Sequence, residues 1–382
     1  MSPTRPENSH HYNPLAHVQD MEDAEDLAAV LVANTGESKE PFWNNAAKLI
    51  LTASILHIKA INPHAPFFEL VQMLTTLKVS DLQQTLLTSP SPVARAAASS
   101  FVQSLSMNER LAGSIMVELA TRLYSMNNPA LVAMTNDNEI DFDQFIEQPT
   151  ALFLSIPASQ AKRLKWFSST FIMQLMKHLT KKAEATHTKR LARPAALFLD
   201  EFGNQVIPHF PEYISLVRSA GIALLMAIQS HDQLVTAYEE EGRNTILANA
   251  TTHVVFPGCG LPETTYYSER TGEMTVDVVA KSSSGGIGMT VTHSQARRQL
   301  MTSDEIRRMP QRCLLLIMDN IAPLTVQNIP FFEMKGLQSR AALPYNLPYR
   351  VGLSPQVGAL PPVSQQPTAP QQTNPNTNMF LP

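Results

Sequence analysis

Apolar residues recur at helical spacing from Asp23 to about Asn138, in the segments DAEDLAAVLVAN, PFWNNAAKLILTASILHIKAIN, FFELVQMLTTLKV, SPVARAAASSFVQSL and NERLAGSIMVELATRLYSM. That spacing lines one face of each helix with core residues. Pro41, Pro63, Pro66, Pro90 and Pro92 fall at the junctions, where a missing N–H is tolerated. The pattern predicts an all-α domain over residues 21 to 145, preceded by a polar, proline-broken lead-in over 1 to 20. At Pro149 the period changes, and short apolar runs alternate with helical stretches: ALFLSI (151 to 156), AALFLD (195 to 200), IALLMAI (222 to 228), HVVF (253 to 256) and CLLLIM (313 to 318). Such runs predict strands buried on both faces, and the helical connections predict βαβ crossovers, so the fold class is α/β with a mostly parallel sheet. Around VDVVAKSSSGGIGMTVTHS (276 to 294) alternating residues flank a Ser/Gly-rich centre, which predicts a β-hairpin.

The end of the chain differs again. From Ala342 onward there are nine prolines, many Gln and Asn, and a single charged residue, Arg350. Too little apolar surface is available there to offset ordering entropy, so 341 to 382 is expected to be a disordered tail following an α/β region over 146 to 340.

Composition narrows the classes. Of 382 residues 44% are hydrophobic, which excludes a wholly disordered chain and allows two or three domains. Lys and Arg total 29 against 33 Asp and Glu, so the surface as a whole is not a polycation built to coat nucleic acid or anionic lipid. Cys259 and Cys313 have no C-x-x-C spacing, which argues against a Cys-rich zinc site. No run approaches the ~18 consecutive apolar residues of a spanning segment, and MSPTRPENSHHYNPLAHV has no signal-peptide core.

The strongest chemical signal is ALFLDEFGN, residues 196 to 204. An apolar strand ending in Asp200 and Glu201 delivers two carboxylates to the edge of a sheet where open α/β folds bind ligands. In nucleotide hydrolases this is the Walker B arrangement, with the Asp supporting Mg²⁺ and the Glu polarising water; the same pair would also suit a solvent-facing turn cap. In FPEYISLVRSAGIALLMAIQSHDQL (210 to 234) a helix carrying Arg218 leads through Gly221 into a strand that ends at Gln229. A strand-end Gln can sense a γ-phosphate or cap a turn, and Arg218 can equally be a solvated surface residue. Residues 162 to 193 hold nine Lys/Arg against one acid, Glu184, including Lys162, Arg163, Lys165, Lys181 and Lys182. Such a stripe suits either a DNA backbone or a solvated helix face.

The order and spacing of ALFLDEFGN, RSAGIALLMAIQS and ILANATTHVVFPG resemble the type IV secretion coupling proteins of the TraG/TraD family, with further similarity in YNPL, PFWNNAAKLIL, TALFLSIP, LPETTYYSERTGEMTV and LMTSDEIRRMPQRCLLLIMDNIAPLTVQNIPFF, so that it covers roughly 12 to 333. The resemblance implies a RecA-like P-loop NTPase-type fold with an inserted all-α domain, a homo-hexamer, and use of ATP and Mg²⁺ to pump DNA. It implies relaxosome or relaxase partners and type IV channel proteins, at the inner face of the bacterial cell membrane. It makes Asp200 and Glu201 the Walker B pair, with Asp200 on the metal, Gln229 the sensor, and Arg218 the arginine that reaches a neighbour's nucleotide. A phosphate loop needs G-x-x-x-x-G-K-[ST], and no Gly-Lys pair occurs in these 382 residues. The family's loop precedes YNPL, so the chain is expected to begin after both loop and membrane anchor, to be inactive alone, and to need a complementing N-terminal chain or segment. A non-hydrolytic docking module and an FtsK-like or packaging-type DNA motor remain alternatives.

Overall fold

The computed structural model describes residues 1–36, 40–105, 109–283 and 289–342. Polar caps and prolines set the helix starts. Asp20 accepts the Asp23 N–H to cap α1 (Met21–Asn34), and α2 (Pro41–Ile61) begins on proline, whose absent N–H would have had no helical partner. After α3 (Phe67–Thr76), α4 (Val79–Leu87), α5 (Pro92–Leu105) and α6 (Glu109–Leu123), Asn128 caps α7 (Pro129–Asn136), and the single turn α8 (Gln144–Glu147) completes the unit. Leu27 and Leu31 of α1 and Ile50 and Ile55 of α2 are fully buried, in an apolar core that runs on from the helical unit through Phe167 and Phe171 to Leu197 and Ile222.

The centre of the molecule is α9 (Lys165–Glu184), with fifteen of its 20 residues buried, so it is covered on all sides rather than along one stripe. The lead-in threads against it. Tyr12 meets Phe167 and Phe171 edge to face, its hydroxyl donates to Gln174, and its N–H donates to the Met134 carbonyl.

Beyond α9, β1 (Ala195–Leu199) and β2 (Ile222–Met226) pair in parallel, Ala195 opposite Ile222 and Leu199 opposite Met226, joined by α10 (Phe210–Ser219). The expected burial on both faces is met on one. Leu197, Leu199 and Ile222 face the core, whereas Phe198 and Leu225, adjacent in register, are 74% and 54% exposed on the other face. Then come α11 (His231–Asn249), β3 (Thr252–Val255), α12 (Leu261–Arg270), β4 (Glu273–Ser283), β5 (Met289–Gln299), α13 (Ser303–Arg307), β6 (Cys313–Met318), β7 (Ile321–Gln327) and α14 (Lys335–Ala341).

Two further expectations need correction. The runs at 253 to 256 and 313 to 318 are strands, but β3, β6 and β7 pair antiparallel, not through parallel crossovers. The chain between β3 and β6 leaves and returns at one edge, and Asp319 and Asn320 turn β6 directly into β7. The run at 151 to 156 forms no strand. Its backbone bonds are to a single residue, Met1: the Ser155 N–H donates to the Met1 carbonyl at 2.8 Å and the Met1 amino group donates to the Phe153 carbonyl. One residue does not make a ladder. The hairpin appears as β4 and β5, longer than expected, with its centre at 284 to 288 outside the described residues; the tail from 343 is outside them too.

His17 stacks on Phe142, ring centroids 4.0 Å apart, and burial pulls its pKa down to about 4 against a side-chain hydrogen bond with Asn138 that opposes the shift. The unfolded chain takes up this proton near pH 6.5 and the folded chain near 4, so stability present above 6.5 is lost as pH falls towards 4. This group should contribute about 3 kcal/mol of that loss. Urea denaturation between pH 7 and 4 checks it: His17→Gln should show a shallower decline than the native chain, and parallel declines would remove His17 as the cause.

Candidate functional site

Asp200 and Glu201 come directly after β1, and both are exposed. Asp200 Oδ1 accepts the Glu201 N–H at 3.1 Å, which lets the chain turn sharply, and Glu201 adopts φ 52° and ψ 39°, the left-handed region. For a residue with a side chain this costs roughly 1–2 kcal/mol, so the surroundings must enforce it. They do so through Phe202, which is fully buried, stacks on Tyr238 and touches Phe210, with ring centroids 5.8 and 4.5 Å away. The Phe202 N–H donates to Ala227 and the Ala227 N–H to Leu199, at 2.9 and 3.0 Å, which carries the β1–β2 pairing one step past the strands.

That pairing places Gln229, three residues beyond Met226, at the same carboxyl edge as Asp200 and Glu201. Gln233, one turn into α11, locks the two segments together. Its Oε1 accepts the Gln229 N–H at 2.9 Å, and it presses on Gly203, where an added Cβ would lie 2.6 Å from the Gln233 Cβ and collide with the same oxygen. Nothing larger than glycine fits at 203 without moving Gln233. Sequence reasoning missed Gly203 and Gln233; the i, i+4 spacing of Gln229 and Gln233 was the available signal.

Arg218 is not part of this group. It is exposed in the last turn of α10, just before β2 begins, and therefore at the amino edge of the parallel pair. Five residues of strand, about 17 Å, separate that edge from the carboxylates. The basic residues are likewise divided. Lys162 and Arg163 are exposed before α9, with Arg163 donating to the Ser125 carbonyl, and Lys165 opens the helix. Lys181 and Lys182 lie about 24 Å further along, paired with Asp20 at 3.3 Å and Asp143 at 2.9 Å. A cleft of about 280 Å³ lies beside these pairs, between the helical unit and α9, lined by Asp23, Asp26, Asp143, Lys177 and His178. Its charges already satisfy one another: Lys177 bonds Asp23 and Asp26, and His178 bonds Asp143 at 2.7 Å.

Among the described residues no group of three or more His, Cys, Asp or Glu is arranged to hold a metal ion. Mg²⁺ asks for less, since it commonly takes one or two carboxylates and completes its shell with water and phosphate. Asp200 fits that demand. It is exposed at the strand edge, and among the described residues no cation pairs with it or with Glu201. The phosphates themselves find no Gly-Lys loop in these 382 residues.

A family model described as type IV secretory system conjugative DNA transfer matches residues 1–354. The chain belongs to this family. Solved structures agree on the fold. The bacterial conjugative coupling protein TrwBdeltaN70 in its unbound monoclinic form is 18% identical, with a TM-score of 0.67 over 84% of this chain and 71% of that one. TrwB in complex with the non-hydrolysable ATP analogue ADPNP is 16% identical, with a TM-score of 0.66 over the same shares, 84% and 71%. TrwB in complex with ADP and Mg²⁺ is 17% identical, with a TM-score of 0.65, again over 84% and 71%. At these identities the likeness shows a shared fold, here a helical unit joined to an α/β region with one parallel strand pair. No curated protein matches in sequence. The TraG/TraD-type coupling protein expected from the motif order is thereby established as the family.

Glycine is the residue the Glu201 backbone favours. Glu201→Gly should therefore raise stability by about 1 kcal/mol, measured by the urea midpoint, while removing the carboxylate. A lower midpoint would mean that the Glu201 side chain itself stabilises the turn.

Proposed function

We propose that this chain is the motor portion of a conjugative coupling protein, in which MgATP hydrolysis drives DNA towards a type IV secretion channel. The observation that carries the reading is the parallel register of β1 and β2, which delivers Asp200, Glu201 and Gln229 to one edge. Mg²⁺, when bound, neutralises phosphate charge. Asp200 is the residue that holds it, Glu201 accepts a proton from the attacking water, and Gln229 orients that water or senses the γ-phosphate. Arg218 serves a neighbouring subunit in a homo-hexamer, a role supported by its position at the opposite edge of the sheet from its own carboxylates. The phosphate-binding loop comes from a further segment or a complementing chain, because these residues contain no Gly-Lys pair.

In this reading the helical domain, residues 21 to 145, recognises DNA or a relaxosome component, while the α/β region over 146 to 340 does the chemistry. The assembly works at the inner face of the membrane; no helix among the described residues is long and apolar enough to cross it. Lys162 and Arg163 face the DNA. Lys165 joins them, and Lys181 and Lys182 complete the basic path only where Asp20 and Asp143 yield. The missing loop also supports a second reading, a docking module that binds substrate without hydrolysing ATP.

Calorimetry and kinetics separate the two. The lone chain should bind MgATP only weakly, and co-expression with a segment bearing a phosphate loop should restore tight binding and turnover. In that complemented motor Glu201→Gln should lower turnover by about 10²- to 10⁴-fold, and Arg218→Ala by about 10³- to 10⁵-fold with nucleotide binding nearly intact. Normal turnover in either variant would remove the corresponding role, and absence of turnover in every complemented form would favour the docking module. For DNA, anisotropy with a duplex probe across a salt series should show Lys162→Ala and Arg163→Ala each reducing the salt slope by about 1; unchanged slopes would move the DNA path elsewhere.

A further inference from the structure

Asn34, the last residue of α1, is buried, and its amide is fully used. Nδ2 donates to the Val30 carbonyl of its own helix at 2.8 Å and to the Val206 carbonyl at 2.7 Å. Oδ1 accepts the Val206 N–H at 3.3 Å and the Ser169 hydroxyl at 3.2 Å. A side-chain amide has two N–H donors and two acceptor positions, so these four bonds exhaust its capacity and fix its orientation. The two bonds to Val206 copy the reciprocal exchange between paired strands, made here by a side chain.

Val206 belongs to the segment that leaves the Asp200–Glu201 turn. On either side of it the Tyr238 hydroxyl accepts the Ile207 N–H and donates to the Gln205 carbonyl, both at 3.2 Å. Three consecutive backbone positions after the carboxylates are thus held by two side chains, one from the helical unit and one from α11. At its other end α1 is anchored on α9 through Asp23 and Asp26, which bond Lys177. A rigid helix therefore runs from a charged anchor to a clamp on the carboxylate segment.

We infer that Asn34 is a positioning residue that transmits displacement of α1 to the Asp200–Glu201 turn, so that occupancy of the helical domain regulates those carboxylates. This rests on the motor reading for its consequence, though not for its geometry. Left-handed Glu201 gives the clamp something to control, since a strained turn persists only while its surroundings enforce it.

Hydrogen–deuterium exchange of the 382-residue chain reads the clamp without nucleotide or DNA. Asn34→Ala should speed exchange over residues 203 to 207 about tenfold while residues 313 to 318 of β6 stay within about twofold of the native chain. Asn34→Asp keeps the size and loses both donors; it should give the same local change and serves if the alanine variant unfolds. Asp26→Asn should speed exchange at 203 to 207 in the native background and add nothing to Asn34→Ala, because α1 then has no grip on the turn. Unchanged exchange at 203 to 207 in both Asn34 variants, an equal rise at 313 to 318, or full additivity with Asp26→Asn would overturn the inference. A motor without Glu201-dependent turnover but with this exchange pattern would discard the hydrolysis reading and keep the clamp.

Discussion

Lys177 carries a charge in a place where charge is costly. Its side chain is 9% exposed, in the middle of the most buried helix of the molecule, and Asp23 and Glu22 approach its Nζ at 3.0 and 3.1 Å with Asp26 closer still. Burial alone would lower its pKa, but the bonds to Asp26, Asp23 and Glu22 outweigh it and hold the ammonium well above its ordinary pKa. A buried cation of this kind is tolerable only with its partners in place, and all three partners sit on the first two turns of α1. The position of the helical unit on α9 is therefore set by the need to satisfy one side chain. The cleft beside it, the paired Lys181 and the docked lead-in share that frame.

From α9 the constraint passes to the sheet. β1 and β2 lay Leu197, Leu199 and Ile222 on the core side and end together, so that the segments leaving the two strands meet at one edge. Exposure of Phe198 and Leu225 on the other face marks an apolar surface that the described residues leave uncovered. Asp200, Glu201 and Gln229 gather along the carboxyl edge and Arg218 stands at the amino edge, a division set by the parallel register.

Three residues with side chains adopt unusual backbone in this region, among them His209, left-handed at φ 58° just before α10. Glu201 is left-handed, and Glu239 has φ 59° and ψ 178° inside α11, next to Tyr238. Tyr238 stacks on Phe202 and bonds the backbone around Val206, so the kink in α11 and the carboxylate turn share a contact. Asn34, Tyr238 and Gln233 come from two helices that are far apart in sequence, and they converge on residues 202 to 207. Strain at the turn is held by these tertiary bonds together with the local bond from the Glu201 N–H to Asp200.

The helices from 21 to 136 were legible in the sequence because 3.6-residue periodicity and junction prolines are local properties, and so was the strand-end position of Asp200 and Glu201, because an apolar run ending in two carboxylates is contiguous. The family could be read from the order of such contiguous pieces. The periodicity of 151 to 156 could not reveal that its backbone would meet only Met1, nor could the runs at 253 to 256 and 313 to 318 reveal antiparallel pairing. Strand partners are chosen by the path of the chain between them. Apolar runs likewise promised two covered faces where the described residues cover one, because burial depends on which other elements are present to pack. The role of Asn34 was invisible for the same reason: its four bonds join residues up to 172 positions apart, and an amide at the end of a helix reads locally as nothing more than a cap. Local sequence determined elements and chemistry; long-range hydrogen bonding and one buried charge decided where that chemistry is held.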